Sequence, residues 1–427
     1  MLKRGIQFIR NQNQLKNLTI YGLGQFFNLV TPLLVAPHVI SVCGIEGYGK
    51  AAFSMALFFF LIVFIDYGSD INGVKEVSLN RDNNKELQRI FISTYLAKFI
   101  LLILVISFTS LFFYTIPFFS KDKFLYLFSI PILIGQFFNP TWFLQGVENF
   151  KQITVINILS KIIYLIAIFT FISSEGDYVF INLWWGIGMI FANGLSFLFI
   201  LFRNSFNFRN VKNEDVIFHL KSGFSIFSSQ IFMSLQMYAP IIMIGFFGND
   251  ILAGMYRVVD QVVVIFKTYI LLFFNFVFSR VCYLIAKNKG QGMRYWLVFN
   301  GSNFIFITIS MILVYYFSTE IILYFKPFDT NNLENILQVA VFIPLLMAVS
   351  VPFKQLVLAF GYQKKYVQTT MVVVIFTLLS ILFVLPYFGI VGVIAVLIIA
   401  ELLSIFIFSF VLKKKIFIIQ IKKQSYF

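Results

Sequence analysis

The stretch FISTYLAKFILLILVISFTSLFFYT, residues 91–115, holds one charged residue, Lys98, in 25 positions. An α-helix needs about 20 mostly apolar residues to cross the roughly 30 Å hydrocarbon layer of a membrane. Only helices and closed β-barrels satisfy their backbone groups in lipid, and barrel strands are shorter and alternate in polarity. The stretch therefore predicts a membrane-spanning helix.

Similar apolar runs lie on both sides of this stretch. Of the 427 residues, 59% are hydrophobic and 12% are charged, about half of the charged share of a soluble protein. We predict an all-α integral membrane protein with about twelve transmembrane helices, near residues 18–42, 51–74, 91–115, 124–146, 153–173, 179–202, 222–247, 255–280, 296–317, 335–358, 366–386 and 389–412. Residues 1–16 are too polar for the core of a signal peptide, so we expect the first run to remain in the mature protein.

The basic residues predict the orientation of these helices. With a cytoplasmic N-terminus, 25 of the 33 Lys and Arg residues lie on the cytoplasmic side and four lie outside, and the other four are inside spans. This bias predicts that both termini lie in the cytoplasm. The net charge of +15 reflects this pattern, so we expect no nucleic-acid partner.

The loops and cysteines argue against an enzyme or a metal protein. Inward loops do not exceed about twenty residues and the longest outward loop has about seventeen, too few for a catalytic domain. Cys43 and Cys282 lie far apart and show no metal-ligand spacing. We therefore expect a transporter with no catalytic residue, no metal site and no cofactor, apart from a coupling ion, H⁺ or Na⁺.

Two loop motifs repeat between the halves of the chain. GYGK at residues 47–50 opens the second span and GMYR at 254–257 opens the eighth, while Gly146 and Gly361 follow the fourth and tenth spans. Six spans per half give both halves the same orientation, as in many alternating-access transporters. We predict an N-terminal six-helix bundle (1–202), a cytoplasmic linker (203–221), a C-terminal six-helix bundle (222–412) and a basic cytoplasmic tail (413–427) suited to anionic membrane lipids.

Ionisable residues inside the spans indicate the functional site, because a charge at the bilayer centre needs a partner, a cavity or a route to the headgroups. Arg257, Asp260 and Lys267 share one face of the eighth span, either as a structural ion pair or as the lining of a cavity. Glu401 in the last span either neutralises Lys267 or is a protonatable coupling site.

The N-terminal half holds further candidates. Lys98 and Lys161 lie at matched depth, which favours a shared cationic cavity, although each could reach the headgroups alone. Asp66 and Asp70, near the inner end of span two, are boundary charges or gating residues. The candidates are thus Lys98, Lys161, Arg257, Lys267, Asn139 and Gln145 for substrate binding, the last two facing a sugar, and Asp260, Glu401, Asp66 and Asp70 for coupling or gating.

Residues 44–100 and 140–162 resemble a known family, the Wzx-like O-antigen and capsule flippases of the polysaccharide transport family. The first segment resembles the family's G-x-x-x-Y-G element, D-x-G element, basic-acidic stretch and terminal A-K, at Gly44, Tyr48, Gly49, Asp66, Gly68, Lys75, Glu76, Arg81, Asp82 and Lys98. The second, PTWFLQGVENFKQITVINILSKI, resembles its P-x-W-x-x-Q-G-x-E element, and a third match surrounds Gly254, Tyr256 and Asp260. The pair Ile71-Asn72 is bulkier than in the family.

This resemblance implies the multidrug/oligosaccharidyl-lipid/polysaccharide (MOP) exporter fold, MATE-like, with two six-helix bundles. It also implies outward movement of undecaprenyl-pyrophosphate-linked oligosaccharide across the bacterial inner membrane, with a polysaccharide polymerase and a chain-length regulator as possible partners. The alternatives are an antiporter for cationic drugs, which would favour an acidic cavity, a peptidoglycan-precursor flippase, and a membrane polymerase, which usually needs a long outward loop.

Overall fold

The structure is a computed structural model of an all-helical chain. It describes the backbone of residues 2–206, 212–327 and 329–424, and the side chains of these residues except 2–19, 21, 213, 225 and 414–424. From residue 414 on, the side chains of the predicted basic tail therefore lie outside the described residues.

The chain divides by its internal contacts into two compact units, Met1–Ser234 and Leu235–Phe427. The first contains the helices α1 (Leu2–Asp66), α2 (Ser69–Leu79), α3 (Asn84–Thr115), α4 (Pro117–Ser120), α5 (Lys123–Phe137), α6 (Thr141–Gly146), α7 (Phe150–Phe171) and α8 (Ile181–Arg203), with a 3₁₀ turn at Glu175–Phe180. Helix α9 (Asn213–Phe247) contains the boundary, and it begins inside the segment predicted as a linker. The second unit continues with α10 (Asp250–Lys287), α11 (Lys289–Tyr316), α12 (Ser318–Tyr324), α13 (Thr330–Ala340), α14 (Phe342–Ala359) and α15 (Gln363–Gln424).

The lengths and breaks of the described helices agree with twelve membrane crossings. Ten helical stretches among the described residues are long and apolar enough to cross a membrane. Two of them, of 58 and 51 residues, each have room for two crossings. Each contains a glycine with non-helical dihedral angles, Gly44 (φ 73°) and Gly389 (φ 54°), where the helix breaks into two. The number of spans predicted from the sequence is therefore confirmed.

Asparagine and aspartate begin many of the helices that the loops connect. Their side-chain oxygens accept a hydrogen bond from a backbone N–H in the first turn, which a helix cannot satisfy by itself. These caps are Asn83, Asn149, Asn249, Asn288 and Asp329. Polar residues at the loop–helix junctions thus fix where the spans begin.

Glycines allow close packing inside the first unit. A Cβ atom added at Gly186 would lie 2.6 Å from the backbone of Pro131 and Ile132 on α5, and one added at Gly188 would lie 2.6 Å from the carbonyl oxygen of Ser160 on α7. Small residues let membrane helices approach closely. Close approach matters because helices in lipid associate through van der Waals packing and not through the hydrophobic effect. Helix α8 is therefore held tightly against both α5 and α7.

The same turn ends a helix in each unit. Glu148 (φ 60°) and Gly361 (φ 79°) are left-handed, and the N–H of the following residue bonds to a carbonyl five residues earlier, from Asn149 to Leu144 at 2.8 Å and from Tyr362 to Val357 at 3.0 Å. This is the Schellman arrangement that satisfies the last carbonyls of a helix. Ser205 (φ 52°) forms a third turn of this kind, with the N–H of Phe206 bonded to Leu201 at 3.1 Å, so the turn alone does not test the predicted repeat.

Candidate functional site

Lys98 and Asp66 form an ion pair inside the first unit. The Lys98 ammonium lies 2.8 Å from one Asp66 oxygen, and the Gln136 amide donates to the other oxygen, also at 2.8 Å. The Lys98 side chain is 3% exposed and that of Asp66 is 16% exposed. Three helices, α1, α3 and α5, thus supply one desolvated network. Gln136 was not singled out from the sequence, although it is an amide within the apolar run of span four, as Asn139 and Gln145 are.

A pocket of the first unit adjoins this pair. Its lining includes Lys98 and Asp66 together with Ser69, Thr94 and His219. The hydroxyl oxygens of Ser69 and Thr94 are buried and have no hydrogen-bond partner in the described part of the chain. Helix α1 ends here, and the next residue, Tyr67, has a left-handed backbone (φ 44°) that is uncommon outside glycine. The pocket therefore combines unsatisfied hydroxyls, an ion pair and a helix break.

Lys161 has a different environment from Lys98. It lies midway along α7 and is 7% exposed, and its ammonium is 3.3 Å from the centre of the Trp185 ring on α8. No carboxylate of the described residues lies within 4.0 Å of this ammonium, and no contact among them joins Lys161 to Lys98. The cavity shared by the two lysines stays a prediction. A buried cation without an acidic partner suits an anionic ligand.

Asp260 bridges two cations on one face of α10. It lies 3.4 Å from Arg257 and 3.2 Å from Lys267, and the side chains of the three residues are 14–25% exposed. The structure brings together the residues that helical spacing places on one face. One carboxylate therefore contacts two cations on this partly exposed stripe.

Glu401 is buried in the second unit with Ser350 of α14. The Ser350 hydroxyl donates to a Glu401 carboxylate oxygen, and the two residues are 0% and 7% exposed. Lys267 contacts Asp260 instead, so the described contacts do not support the alternative in which Glu401 neutralises Lys267. A carboxyl group held by a hydroxyl inside a span is suited to carry a proton, and its coupling role stays a prediction.

Asn139 and Gln145 lie near the turn at α6. The Asn139 side chain accepts a hydrogen bond from the N–H of Thr141 at 3.0 Å and donates to Gln136 at 3.3 Å, so it shapes the start of α6. Gln145 is half-buried. Whether these amides face a sugar stays a prediction.

Asp70 of α2 and Arg89 of α3 contact polar side chains of α9 within the first unit, and we call these contacts the polar seam. Gln230 donates to both Asp70 oxygens, at 2.7 and 2.6 Å, and Arg89 donates to Asp215 at 2.9 Å. Burial opposes ionisation of Asp215, but the N–H of Lys212 and the Arg89 guanidinium outweigh it and lower the pKa of this carboxyl. Asp70 is thus held by an amide of α9, and its gating role is untested.

His219 belongs to the same seam. Burial, and then the Arg89 charge, lower the pKa of this imidazole, and the Asp215 charge only partly opposes them. Glu76 lies 3.6 Å from the His219 ring nitrogen, too far for a good hydrogen bond. The folded environment therefore disfavours protonation of His219.

The described residues hold no group of three or more His, Cys, Asp or Glu side chains that could bind a metal ion. The chemistry that this arrangement offers is the binding of charge, supplied by buried lysines, two acid-bridged networks and one hydroxyl-bonded carboxyl.

Comparison with known proteins identifies the family. Residues 14–283, more than half of the chain, match the family model described as "Polysaccharide biosynthesis protein". The chain belongs to this family. The resemblance to Wzx-like proteins of the MOP superfamily, drawn from residues 44–100 and 140–162, is therefore confirmed.

Two curated relatives of this family member carry the same name, "Putative O-antigen transporter". The one from Escherichia coli (strain K12) is 22% identical over 255 residues, and the one from Shigella dysenteriae is 21% identical over 249 residues. The matched regions cover 59% and 58% of this chain, and 61% and 62% of the relatives. The chain thus spans about three fifths of the length of these relatives.

Two solved structures share the fold. An inward-facing MATE multidrug resistance transporter of the MOP superfamily has a TM-score of 0.76 at 14% identity, covering 96% of this chain and 99% of its own. The lipid II flippase MurJ, in an inward closed conformation, has a TM-score of 0.72 at 16% identity, covering 92% and 87%. The prediction of an all-α, MATE-like membrane protein is confirmed. The relatives are named as transporters and a flippase, in agreement with a chain that is not an enzyme.

Proposed function

We propose that this protein is a flippase that moves undecaprenyl-pyrophosphate-linked oligosaccharide repeat units from the cytoplasmic to the periplasmic leaflet, for assembly of O-antigen, capsule or exopolysaccharide. The family of the chain and the printed name of its curated relatives support a polysaccharide-related transporter. The fold that it shares with a lipid II flippase is compatible with a lipid-linked substrate.

The observation that carries the proposal is the unbalanced positive charge inside the spans. Lys98 has an acidic partner, and Arg257 and Lys267 share one, whereas Lys161 has none among the described residues. Burying an isolated charge is costly, so an anion that arrives with the substrate would stabilise the charged form of this lysine. A pyrophosphate headgroup carries about two negative charges and meets this requirement.

The proposed mechanism is alternating access through a cationic, hydrated passage. Lys98, Lys161, Arg257 and Lys267 would offset the desolvation of the pyrophosphate, and Asn139 and Gln145 would contact the sugar. A lysine ammonium is a flexible point charge, whereas arginine forms a fixed two-pronged clamp, so lysines suit a ligand that must also leave. Protonation of Glu401, or Na⁺, would couple the cycle, with Asp66, Asp70 and Asp260 as further coupling or gating groups.

The proposed setting is the bacterial inner membrane. Both termini would lie in the cytoplasm, since the basic residues concentrate on that side. A polysaccharide polymerase and a chain-length regulator would act on the product at the outer face. Anionic membrane lipids would contact the basic tail.

A multidrug antiporter is the second candidate, because the fold is also that of a MATE transporter. Such a protein would bind cationic drugs, and an unpaired buried lysine would repel them. The two candidates therefore make opposite predictions about the charge of the transported molecule.

Transport by the purified protein in vesicles tests the proposal. The substrate is a fluorescent oligosaccharide linked to a prenyl pyrophosphate, and the readout is the fraction that a membrane-impermeant quencher reaches over time. We expect Lys161→Met to reduce the rate at least about tenfold, Lys161→Arg to retain part of it, and Lys151→Met, on the exposed end of the same helix, to leave it unchanged. Transport of ethidium without transport of the lipid-linked sugar would favour the antiporter.

A further inference from the structure

Trp185 has the closest lysine–ring contact among the described residues. The Lys161 ammonium lies 3.3 Å from its ring centre, whereas Lys50, Lys123 and Lys289 lie 5.1–5.5 Å from their rings. A cation over an indole face is attracted by the ring quadrupole, and the attraction strengthens when both groups are desolvated. Trp185 is therefore the group that compensates the buried charge of Lys161.

Two neighbouring rings hold the indole in place. Tyr164 of α7 meets it edge-on at 5.0 Å, and Phe59 of α1 packs against it at 5.8 Å. Rings from two other helices of the same unit thus fix the plane that faces the ammonium. The platform is part of the packed unit, so its position does not depend on a mobile loop.

Both polar groups of the contact are incomplete. The ammonium of Lys161 has no carboxylate within 4.0 Å in the described part of the chain, and the indole Nε1–H of Trp185 is buried with no acceptor there. A buried donor without an acceptor is unfavourable, as is a cation without an anion. A ligand with several anionic oxygens could satisfy both groups.

We propose that Trp185 is a positioning residue that holds the Lys161 ammonium in the ligand-free protein and yields it to a phosphate- or pyrophosphate-bearing ligand. This inference rests on the proposed function, and it adds a resting state for the lysine. An ion pair in a low-dielectric site is stronger than a cation–π contact, so the ligand draws the ammonium off the ring. The lost ring contact offsets part of the new ion pair, which keeps binding weak enough for release.

The proposal predicts an unusual pair of effects. Trp185→Leu removes the competitor for the ammonium, so the affinity for farnesyl pyrophosphate should rise about 3- to 30-fold while the transport rate falls. Trp185→Phe, which keeps a weaker ring, should lie between the two. A tryptophan that only packs the helices would lower affinity and transport together, or change neither.

Fluorine NMR of the full-length protein labelled with 5-fluorotryptophan tests the contact directly. The chain has four tryptophans, so Trp185→Phe assigns one resonance and the other three are internal controls. Three probes are compared: farnesyl pyrophosphate, inorganic pyrophosphate and farnesol. We expect the Trp185 resonance to move with farnesyl pyrophosphate, to move in the same direction in ligand-free Lys161→Met, and to stay unchanged with farnesol.

The outcomes distinguish a failure of the Trp185 proposal from a failure of the proposed flippase function. A response to inorganic pyrophosphate as well would support the proposal and show that the site reads the charged group and not the lipid. An unchanged Trp185 resonance, while Lys161→Met still weakens binding of farnesyl pyrophosphate, would overturn the platform and leave the proposed function standing. Binding that is equal in wild type and Lys161→Met would overturn both.

Discussion

The ion pair between Lys98 and Asp66 allows a test of whether an intramembrane charge is structural or functional. The two atoms are 2.8 Å apart, so their attraction is about 6 kcal/mol at an effective dielectric constant of about 20. Desolvation cancels much of this gain, but removing one partner leaves a buried charge uncompensated and costs about 3–5 kcal/mol. We therefore expect Asp66→Asn and Lys98→Met each to destabilise the protein.

Thermal unfolding in detergent measures this loss. For a unit of about 200 residues, 1 kcal/mol corresponds to about 2–4 °C, so each single variant should lower Tm by about 6–20 °C. The double variant has no unpaired charge and should regain most of the loss. Arg81→Met breaks an exposed pair with Glu148, whose side chains are 42% and 58% exposed, and should lower stability by less than about 1 kcal/mol.

Transport by the double variant then decides the role of Lys98. If the lysine only balances Asp66, transport returns together with Tm. If it also binds the substrate, as proposed, Tm returns and transport does not. Single variants that unfold at the wild-type temperature would refute the reasoning, because they would show that water already screens this pair.

Three further predictions concern pH, packing and coupling. The lowered pKa of His219 means that the folded protein disfavours protonation of this imidazole. The contacts of the polar seam at the start of α9 should therefore be fully formed above about pH 6.5 and weaken as the pH falls below that value. Hydrogen exchange of residues 214–223, corrected for intrinsic rates, should show this weakening, and His219→Gln should abolish the pH dependence. Gly188→Ala should lower Tm, because its Cβ would lie 2.6 Å from a backbone oxygen, whereas Gly194→Ala on the same helix has no atom within 4 Å and should leave Tm unchanged or slightly higher. The glutamine of Glu401→Gln can still accept the Ser350 hydrogen bond, so Tm should change by less than the equivalent of about 1 kcal/mol. Transport driven by a pH gradient should fall at least about tenfold if the Glu401 carboxyl carries the proton. Equal transport by the variant and the wild type would contradict the coupling role.

Local features of the chain were predictable from the sequence. The number and approximate limits of the spans followed from apolar runs, because in lipid each segment must satisfy its own backbone hydrogen bonds. The grouping of Arg257, Asp260 and Lys267 followed from helical spacing, since all three lie on one helix. The family followed from short motifs that need no knowledge of packing.

The partners of the remaining charges were not predictable in this way. Lys98 meets Asp66 from another helix, Lys161 meets Trp185, and Glu401 meets Ser350. The spans are apolar on nearly all sides, so no polar face in the sequence shows how each helix is rotated about its axis. The matched depth of Lys98 and Lys161 suggested a common environment, yet the structure gives each a separate partner.

The sequence by itself determined three properties of the chain: about twelve helical membrane crossings, the charges that lie inside the spans, and the family. Each of these properties depends on residues that are close together along the chain. Only the tertiary structure decided that Lys98 is neutralised and that Lys161 rests on a ring. Such contacts depend on how far helices approach and turn, which close packing at glycines such as Gly186 and Gly188 controls.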